Sequence, residues 1–235
     1  MSNIKGIFFD AAGVFYDRRE PTSRYATRLL KEKGFAGELS ESNQARRKAL
    51  RVQATEGRIS HEAYWDQILS MYGVAAQNER AGLVKSILEH THDVFAYPGG
   101  RETMAELKRR GFILGLITDT MYPVEWKMRW VAQAGVAEFI DVVACSTVLG
   151  AHKPDPAIYL NALVQARLAP AQAAFVGHAA DELEGARQAG MVTVAVNYDP
   201  DAPADYYCKS LADLVNVPIF QRDSHNGGGL LETAQ

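Results

Sequence analysis

The sequence has 235 residues, which is long for one compact domain and short for two, so one domain that carries an insertion is the first hypothesis. A hydrophobic fraction of 47% and a charged fraction of 23% exclude disordered, collagen-like and coiled-coil chains. The 25 Lys and Arg residues against 28 Asp and Glu residues leave a net charge of −3, so nucleic acid is not an expected partner.

Short runs of β-branched and aromatic residues recur along the chain, and each is separated from the next by enough residues for a helix. This alternation predicts an α/β fold with a Rossmann-like, doubly wound parallel sheet of about five strands. The runs predicted as strands cover residues 4–9, 112–118, 141–145, 173–177 and 191–196.

The composition changes between Pro21 and Phe95 to Arg, Lys, Glu, Gln and Ala, with apolar residues at helical spacing, as at Tyr64 and Ile68. Glycines divide this stretch into about four predicted helices, and Ser60 is a predicted helix cap. We therefore expect an all-helical cap inserted into the α/β core. The predicted domains are a core of residues 1–16 and 96–215, a cap of residues 17–95 and a C-terminal tail of residues 216–235, with a flexible glycine run at 227–229.

Polar residues stand where the predicted strands end, and ligands of a doubly wound sheet bind beyond those carboxyl ends. Asp10 follows a wholly apolar run, where a carboxylate needs a cation beside it and can serve as a nucleophile. Thr118 offers a hydroxyl to a bound anion, and the ammonium of Lys153 can pair with Asp10. The fourth run is followed by His178.

Four segments carry a more specific signal, in the order and at the spacings in which they occur. Phe-Phe-Asp-Ala-Ala-Gly-Val at 8–14 and Ile-Thr at 117–118 are followed by Lys-Pro-Asp-Pro at 153–156 and by a Gly-rich segment at 176–190. These segments resemble the four successive motifs of the haloacid dehalogenase superfamily, and the resemblance covers nearly the whole chain.

The resemblance implies a role for each matching residue. Asp10 would be the nucleophile that attacks a phosphoryl group or a carbon centre, while Thr118 and Lys153 would orient the substrate. The helical stretch 17–95 would be the cap that selects the substrate. The implied activity is a hydrolase that acts on a small anionic substrate.

Two positions depart from the superfamily pattern and both remove a negative charge. The phosphatases carry a second Asp, a general acid and base, where this chain has Ala12, and they have an Asp that helps to hold Mg²⁺ where this chain has His178. We therefore expect no tightly bound cofactor and weakened or absent Mg²⁺ binding. Asp10, Asp181 and Glu182 remain as a weak alternative set of metal ligands.

His178 is the predicted replacement for the missing acid and base, because an imidazole exchanges protons near neutral pH, and Asp119 is the rival candidate. Ala12, Asp119 and Asp181 are predicted to face the substrate. Glu182 also has a purely structural interpretation, since an acidic side chain favours the positive end of the following helix.

Arginines of the predicted cap leave a further question open. Arg46, Arg47, Arg51 and Arg58 are typical of a solvated helix face, although a cap arginine could reach an anionic substrate.

Three functions follow as hypotheses. The first is a hydrolase with an aspartate nucleophile that acts on a phosphate ester with little or no Mg²⁺. The second is a metal-independent, carbon-centred hydrolase such as a 2-haloacid dehalogenase. The third is a catalytically silent member of the fold that binds a metabolite or a protein.

Composition also bears on partners and compartment. Cys145 and Cys208 are too few for a disulfide framework, and no apolar run reaches the roughly 18 residues of a membrane span. We expect a cytoplasmic protein whose partner is a small anionic metabolite, with no membrane or nucleic acid partner. The sequence allows a homodimer without requiring one.

Overall fold

The computed structural model describes residues 3–35 and 37–221. The strands are β1 (Gly6–Phe9), β2 (Tyr16–Arg18), β3 (Val94–Ala96), β4 (Ile113–Thr118), β5 (Val142–Cys145), β6 (Ala173–Gly177), β7 (Val192–Val196) and β8 (Tyr206–Cys208). The α-helices are α1 (Thr22–Glu32), α2 (Glu41–Thr55), α3 (His61–Met71), α4 (Gln77–His90), α5 (Gly100–Arg109), α6 (Val124–Gln133), α7 (Ser146–Leu149), α8 (Pro156–Ala166) and α9 (Ala180–Gln188).

Six strands form one sheet in the order β5-β4-β1-β6-β7-β8, and every neighbouring pair is parallel. The predicted α/β fold with a parallel sheet is confirmed, and all five predicted strands are present. The sequence analysis missed β8. This strand has only three residues and lies at the sheet edge, where Tyr207 is exposed, so it lacks the apolar run that marks the others.

The sheet is buried on both faces, which explains why its strands are continuous apolar runs. Successive residues of a strand point to opposite faces, so Ile7 and Phe9 pack in one apolar cluster and Phe8 packs in the other. Helices α5 and α6 contribute apolar side chains such as Trp130 to the first cluster. Helices α8 and α9 contribute side chains such as Leu183 to the second.

Four helices, α1 to α4, form the segment between β2 and β3. The predicted helix cap at Ser60 is present, since its side chain accepts from the backbone N–H of Ala63. The ends of the segment differ from the prediction of helix throughout 17–95. There, β2 and β3 pair as an antiparallel ribbon, with Tyr16 opposite Ala96, so the chain enters and leaves the helices through a hydrogen-bonded double strand.

The C-terminal part of the described chain is more ordered than the predicted tail from residue 216. A 3-10 turn, Pro218–Phe220, buries the ring of Phe220 against Phe112, with 5.8 Å between the ring centroids. Such a short turn has no periodicity from which the sequence could predict it. The rest of the predicted tail, residues 222–235 with its glycine run, lies outside the described residues.

Across the described ranges, none of the helices combines the length and the apolarity that crossing a bilayer requires.

Candidate active site

The carboxyl ends of three adjacent strands place the predicted polar residues at one edge of the sheet. Asp10 directly follows β1, Thr118 ends β4 on one side of it, and His178 directly follows β6 on the other side. Lys153 reaches the same place from the loop between α7 and α8. Asp10, Lys153 and His178 lie in direct proximity, and the buried hydroxyl of Thr118 has no hydrogen-bond partner in the described part of the chain.

A buried ion pair forms the centre of this edge. The ammonium of Lys153 donates to Oδ1 of Asp10 at 2.7 Å, and both residues are about 95% buried, with exposed fractions of 4% and 5%. Burial would raise the pKa of Asp10, but the positive charges of Lys153, Lys127 and His178 outweigh it and hold that pKa below its ordinary value. Asp10 is therefore an ionised carboxylate at neutral pH, as a nucleophile must be.

Glu182 belongs to the same cluster, which the sequence analysis did not predict for a catalytic role. Its Oε1 lies 2.8 Å from the ammonium of Lys153, so one lysine holds two carboxylates. Burial and the charge of Asp10 raise the pKa of Glu182 to about 7, although Lys153 opposes them. A carboxylate with this pKa exchanges protons near neutral pH. The sequence signal that could have identified Glu182 is its spacing of four residues from His178. This spacing brings the two side chains together where α9 begins.

His178 completes the cluster at slightly longer range. Its Nδ1 lies 3.7 Å from Oδ2 of Asp10 and 3.9 Å from Oε2 of Glu182, and it forms no hydrogen bond with the residues described. The imidazole ring packs over Gly13, where a Cβ atom would come within 2.7 Å of Nε2. Gly13 also has a φ of 77°, so a side chain at this position would be strained as well as obstructive.

The residues predicted to face the substrate take different places. Oδ1 of Asp119 accepts from the backbone N–H of Lys153 at 3.2 Å, and burial raises the pKa of Asp119. Ala12 is half-buried and forms an isolated bridge with Tyr16. Asp181 is exposed, and its side chain accepts from the backbone N–H of Glu182.

Asp181 therefore does not join the predicted metal set of Asp10, Asp181 and Glu182. The three groups that could share an ion are Asp10, His178 and Glu182, whose ligand atoms lie within 4.8 Å of one another. Asp181 points away from the cluster because it is the neighbour of Glu182 in α9, and consecutive residues of a helix point about 100° apart.

This donor set does not fit Mg²⁺. One of the three ligands is an imidazole nitrogen, whereas Mg²⁺ requires oxygen ligands in near-ideal octahedral geometry. The ammonium of Lys153 also already binds the carboxylates of Asp10 and Glu182, at 2.7 and 2.8 Å.

Lys127 is a second functional candidate that the sequence analysis missed. It lies in α6 and is 4% exposed, with its ammonium 5.7 Å from the centroid of the Tyr16 ring. Among the residues that the structure describes, no acceptor forms a hydrogen bond or ion pair with this ammonium, while its charge lowers the pKa of Asp10. Only the packing of α6 against the ribbon brings Lys127 here, and no motif marks it.

Comparisons with known proteins agree with this architecture. The family model described as haloacid dehalogenase-like hydrolase matches residues 7–196. A glyceraldehyde 3-phosphate phosphatase from Methanopyrus kandleri is 30% identical over 202 residues, which cover 82% of this chain and 84% of that protein. An (S)-2-haloacid dehalogenase from a Pseudomonas species is 26% identical over 203 residues, which cover 84% and 86%. The crystal structure of a 2-haloacid dehalogenase from Pseudomonas syringae shares the fold with a TM-score of 0.64 at 24% identity, covering 91% of this chain and 97% of that one.

Proposed function

The chain belongs to the family of haloacid dehalogenase-like hydrolases, and from this membership we propose that it hydrolyses a small anionic metabolite with Asp10 as the nucleophile. The observation that carries the proposal is the buried pair of Asp10 and Lys153, which keeps an otherwise costly carboxylate ionised at the mouth of the sheet. Because the donor set does not fit Mg²⁺, the proposed reaction proceeds without a tightly bound metal.

The first step uses the oxygen of Asp10 that Lys153 does not hold. Oδ1 is fixed by the ammonium, whereas Oδ2 faces His178 at 3.7 Å and is the oxygen that attacks. A bond forms between Oδ2 and the substrate centre as the bond to the leaving group breaks. Thr118 and Lys127 supply a hydroxyl and a positive charge to the substrate anion, since neither has a hydrogen-bond acceptor in the described structure.

The second step returns Asp10 to its starting state. For a phosphate ester, water attacks the phosphorus of the Asp10 acyl phosphate, the bond between phosphorus and Oδ2 breaks, and the attacking water loses one proton. We assign this proton to the pair of His178 and Glu182, because Glu182 has a pKa of about 7 and its Oε2 lies 3.9 Å from Nδ1 of His178. In the first step the same pair gives a proton to an alkoxide leaving group, so that protons balance over the cycle.

The helices α1 to α4 would act as the cap over this site. The turn after α2 meets α7, where a Cβ atom at Gly57 would lie 2.4 Å from the carbonyl oxygen of Thr147. Glu56 also pairs with His152, the residue before Lys153. These contacts support a closed arrangement that excludes water from the ion pair.

A phosphate ester is the first substrate class, because the relative that is 30% identical over 202 residues is a glyceraldehyde 3-phosphate phosphatase. A carbon-centred substrate is the second candidate, favoured by Ala12, since displacement of a halide needs no proton donor at that position. The similarity to a haloacid dehalogenase supports the same candidate.

The test is a screen of phosphate esters, including glyceraldehyde 3-phosphate, and of 2-haloacids, each with and without Mg²⁺. The Asp10→Asn variant serves as the blank. We expect turnover by the natural protein and none by the variant. Turnover that survives in Asp10→Asn would contradict the nucleophile, and silence against the whole panel would favour a binding protein.

A single turnover in ¹⁸O-labelled water separates the two substrate classes. Water that attacks phosphorus leaves Asp10 unlabelled, whereas water that attacks the carbonyl carbon of an Asp10 alkyl ester places ¹⁸O in the side chain. Mass spectrometry of the peptide that contains Asp10 reads the difference directly.

A further inference from the structure

A groove of about 710 Å³ runs between α3 and α4 and reaches Trp126 of α6. Its α3 wall is the face that carries Glu62 and Asp66, opposite the buried face of Tyr64 and Ile68. The described lining includes no residue of the candidate active site. The volume is within the range of sites that hold small organic molecules.

Small side chains leave the space between the two helices unfilled. Ala63 of α3 and Ala81 of α4 both line the groove. Helix α4 also contributes Val84 and Leu88, which follow Ala81 at spacings of three and four residues and so lie on the same stripe of the helix. The floor of the groove is therefore apolar over about two turns of α4.

Carboxylates outnumber cations along the rim. The lining contains one lysine and three carboxylates, and these are Lys85, Glu62, Asp66 and Glu89. Asp66 is held by Arg80, whose Nε donates to Oδ1 at 2.7 Å. The ammonium of Lys85 lies 3.9 Å from Glu89, and both side chains are more than two-thirds exposed, so this pair binds weakly. The groove therefore carries a net negative charge.

The charge of Glu62 is not offset by a neighbouring cation. Among the described residues, its ion-pair partner is His61, whose Nε2 lies 3.0 Å from Oε1. Burial lowers the pKa of His61, although Glu62 opposes this shift, so the imidazole is neutral at pH 7. His92 also lines the groove, and its Nδ1 accepts from the indole N–H of Trp130 at 3.1 Å, which only an unprotonated nitrogen can do.

Glu62 and Glu89 lie at the same end of the groove. The loop 72–76 is short, so α4 returns alongside α3 and the start of α3 lies beside the end of α4. Trp126 is at this end too, because its ring centroid lies 4.9 Å from that of His61, where α3 begins, and 4.6 Å from that of His92, just after α4. Carboxylates beside an aromatic ring attract a cation.

We propose that this groove binds an organic cation, a primary amine that carries an aromatic or branched apolar body. The ammonium would lie between Glu62 and Glu89 beside the ring of Trp126, and the apolar body would extend over Ala81 and Val84. This goes beyond the proposed function, because the ligand has the opposite charge to the proposed substrate and uses none of the groups assigned to hydrolysis.

Isothermal titration calorimetry on the full chain tests the proposal with three probes of similar shape. These are 3-phenylpropylamine, the uncharged 3-phenylpropan-1-ol and the anionic 3-phenylpropionate. We expect saturable binding of the amine, binding of the alcohol that is weaker by about tenfold, and still weaker binding of the carboxylate. Failure of the amine to bind, or equal binding of the alcohol, would overturn the proposal.

Matched charge variants locate the ammonium. Glu62→Gln and Glu89→Gln should each weaken binding of the amine by about fivefold to tenfold, because each removes one of the two carboxylates at that end. Glu79→Gln removes the same charge from α4 at an exposed position that does not line the groove, so the affinity should not change. An equal loss in Glu79→Gln would mean that the overall charge of the protein, and not the groove, attracts the amine.

A matched pair of size variants locates the apolar body. Ala81→Leu adds a larger side chain to the floor of the groove and should abolish binding of the amine. Asn78→Leu adds the same side chain to α4 outside the groove and should leave binding unchanged. Both positions are exposed, so neither change disturbs a buried contact. Full binding in Ala81→Leu would overturn the proposal.

A second copy of the chain is the competing occupant of the groove. Sedimentation velocity of the natural protein and of Ala81→Leu decides between them, and we expect the same sedimentation coefficient for both. A dimer that dissociates in Ala81→Leu and persists in Asn78→Leu would assign the groove to the second copy and overturn the amine site.

The Asp10→Asn variant separates this groove from the proposed hydrolysis. We expect Asp10→Asn to bind the amine as the natural protein does while it shows no turnover. Loss of binding in Asp10→Asn would place the amine at the catalytic edge and overturn the groove proposal. Retained binding in a protein that hydrolyses nothing would support the groove and contradict the proposed function alone.

Discussion

Glu182 and Asp10 share the ammonium of Lys153, at 2.8 and 2.7 Å, so one lysine pairs with two carboxylates. Only one of the two can be fully compensated, because each negative charge is raised in energy by the other. The pKa of Asp10 is lowered, so Asp10 stays ionised, whereas the pKa of Glu182 is raised to about 7. The arrangement therefore separates the proposed nucleophile, which is ionised at neutral pH, from a group that titrates near neutrality.

The raised pKa of Glu182 predicts a stability profile. Between the ordinary pKa of 4.5 and the folded value of about 7, the folded protein binds more protons than the unfolded chain, so stability falls as the pH rises through this window. Glu182→Gln should remove most of this fall, which is about 3 kcal/mol for a pKa that moves from 4.5 to about 7. Denaturant unfolding from pH 4.5 to 8 measures it. The control is Asp181→Asn, the exposed neighbour, and a profile unchanged in Glu182→Gln would contradict the assignment.

The proton-transfer role of His178 predicts a kinetic effect. His178→Asn should slow turnover by about 10²-fold, the usual contribution of a general acid or base. If His178 and Glu182 act as one unit, the double variant His178→Asn with Glu182→Gln should be scarcely slower than either single variant. Steady-state rates on the substrate found in the screen measure both effects. Fully multiplicative losses would show that the two residues act separately.

Lys127 should lower the energy of the bound substrate anion and of ionised Asp10. Lys127→Met should reduce kcat/KM by about tenfold and move the acid limb of its pH profile upward, because the pKa of Asp10 rises when a nearby positive charge is removed. Lys127→Arg should restore part of the rate. The control is Lys108→Met, which removes a partly exposed pair with Asp141 and none of the described contacts of Asp10. Equal losses in both variants would contradict a specific role.

The two departures from the family pattern predict how Mg²⁺ dependence could be regained. Ala12→Asp with His178→Asp adds two carboxylates beside Asp10 and should produce measurable Mg²⁺ binding by calorimetry, together with Mg²⁺-stimulated hydrolysis of phosphate esters. The neutral pair Ala12→Asn with His178→Asn has similar size and should produce neither. Tight Mg²⁺ binding by the natural protein would contradict the proposed absence of a resident metal.

The contact between Glu56 and His152 predicts that the helical segment helps to close the site. Glu56→Gln weakens a pair of 3.2 Å and should reduce kcat/KM severalfold while it changes the free energy of unfolding by less than about 1 kcal/mol. Glu32→Gln removes a more exposed pair with Arg28 that lies wholly within the helical segment. We expect no kinetic effect there, and a similar effect in both variants would argue against closure.

Much of the site could be predicted because a parallel sheet brings strand ends together. The positions of Asp10, Thr118 and His178 could be predicted from the strand order and from the apolar runs that precede these residues. To place Glu182, one must also know in which direction its side chain points at the start of α9. To place Lys127, one must know how α6 packs against the ribbon. Lys127 has no local pattern that marks it, since its place depends on contacts between segments far apart in sequence.

The different contacts of the arginines in α2 were beyond prediction for the same reason. Arg46 and Arg51 look alike in the sequence, yet Arg46 donates to the side-chain oxygen of Gln67 and Arg51 donates to the sulfur of Met121. They are five positions apart, which rotates their side chains to different faces of α2.

The ribbon of β2 and β3 has a consequence for engineering. Because Tyr16 and Ala96 are paired neighbours, the two points where the helical segment leaves and rejoins the sheet domain are about 5 Å apart. A short turn can join them without displacing either end. We therefore expect that the segment can be exchanged for a related helical segment without displacing the residues at the edge of the sheet.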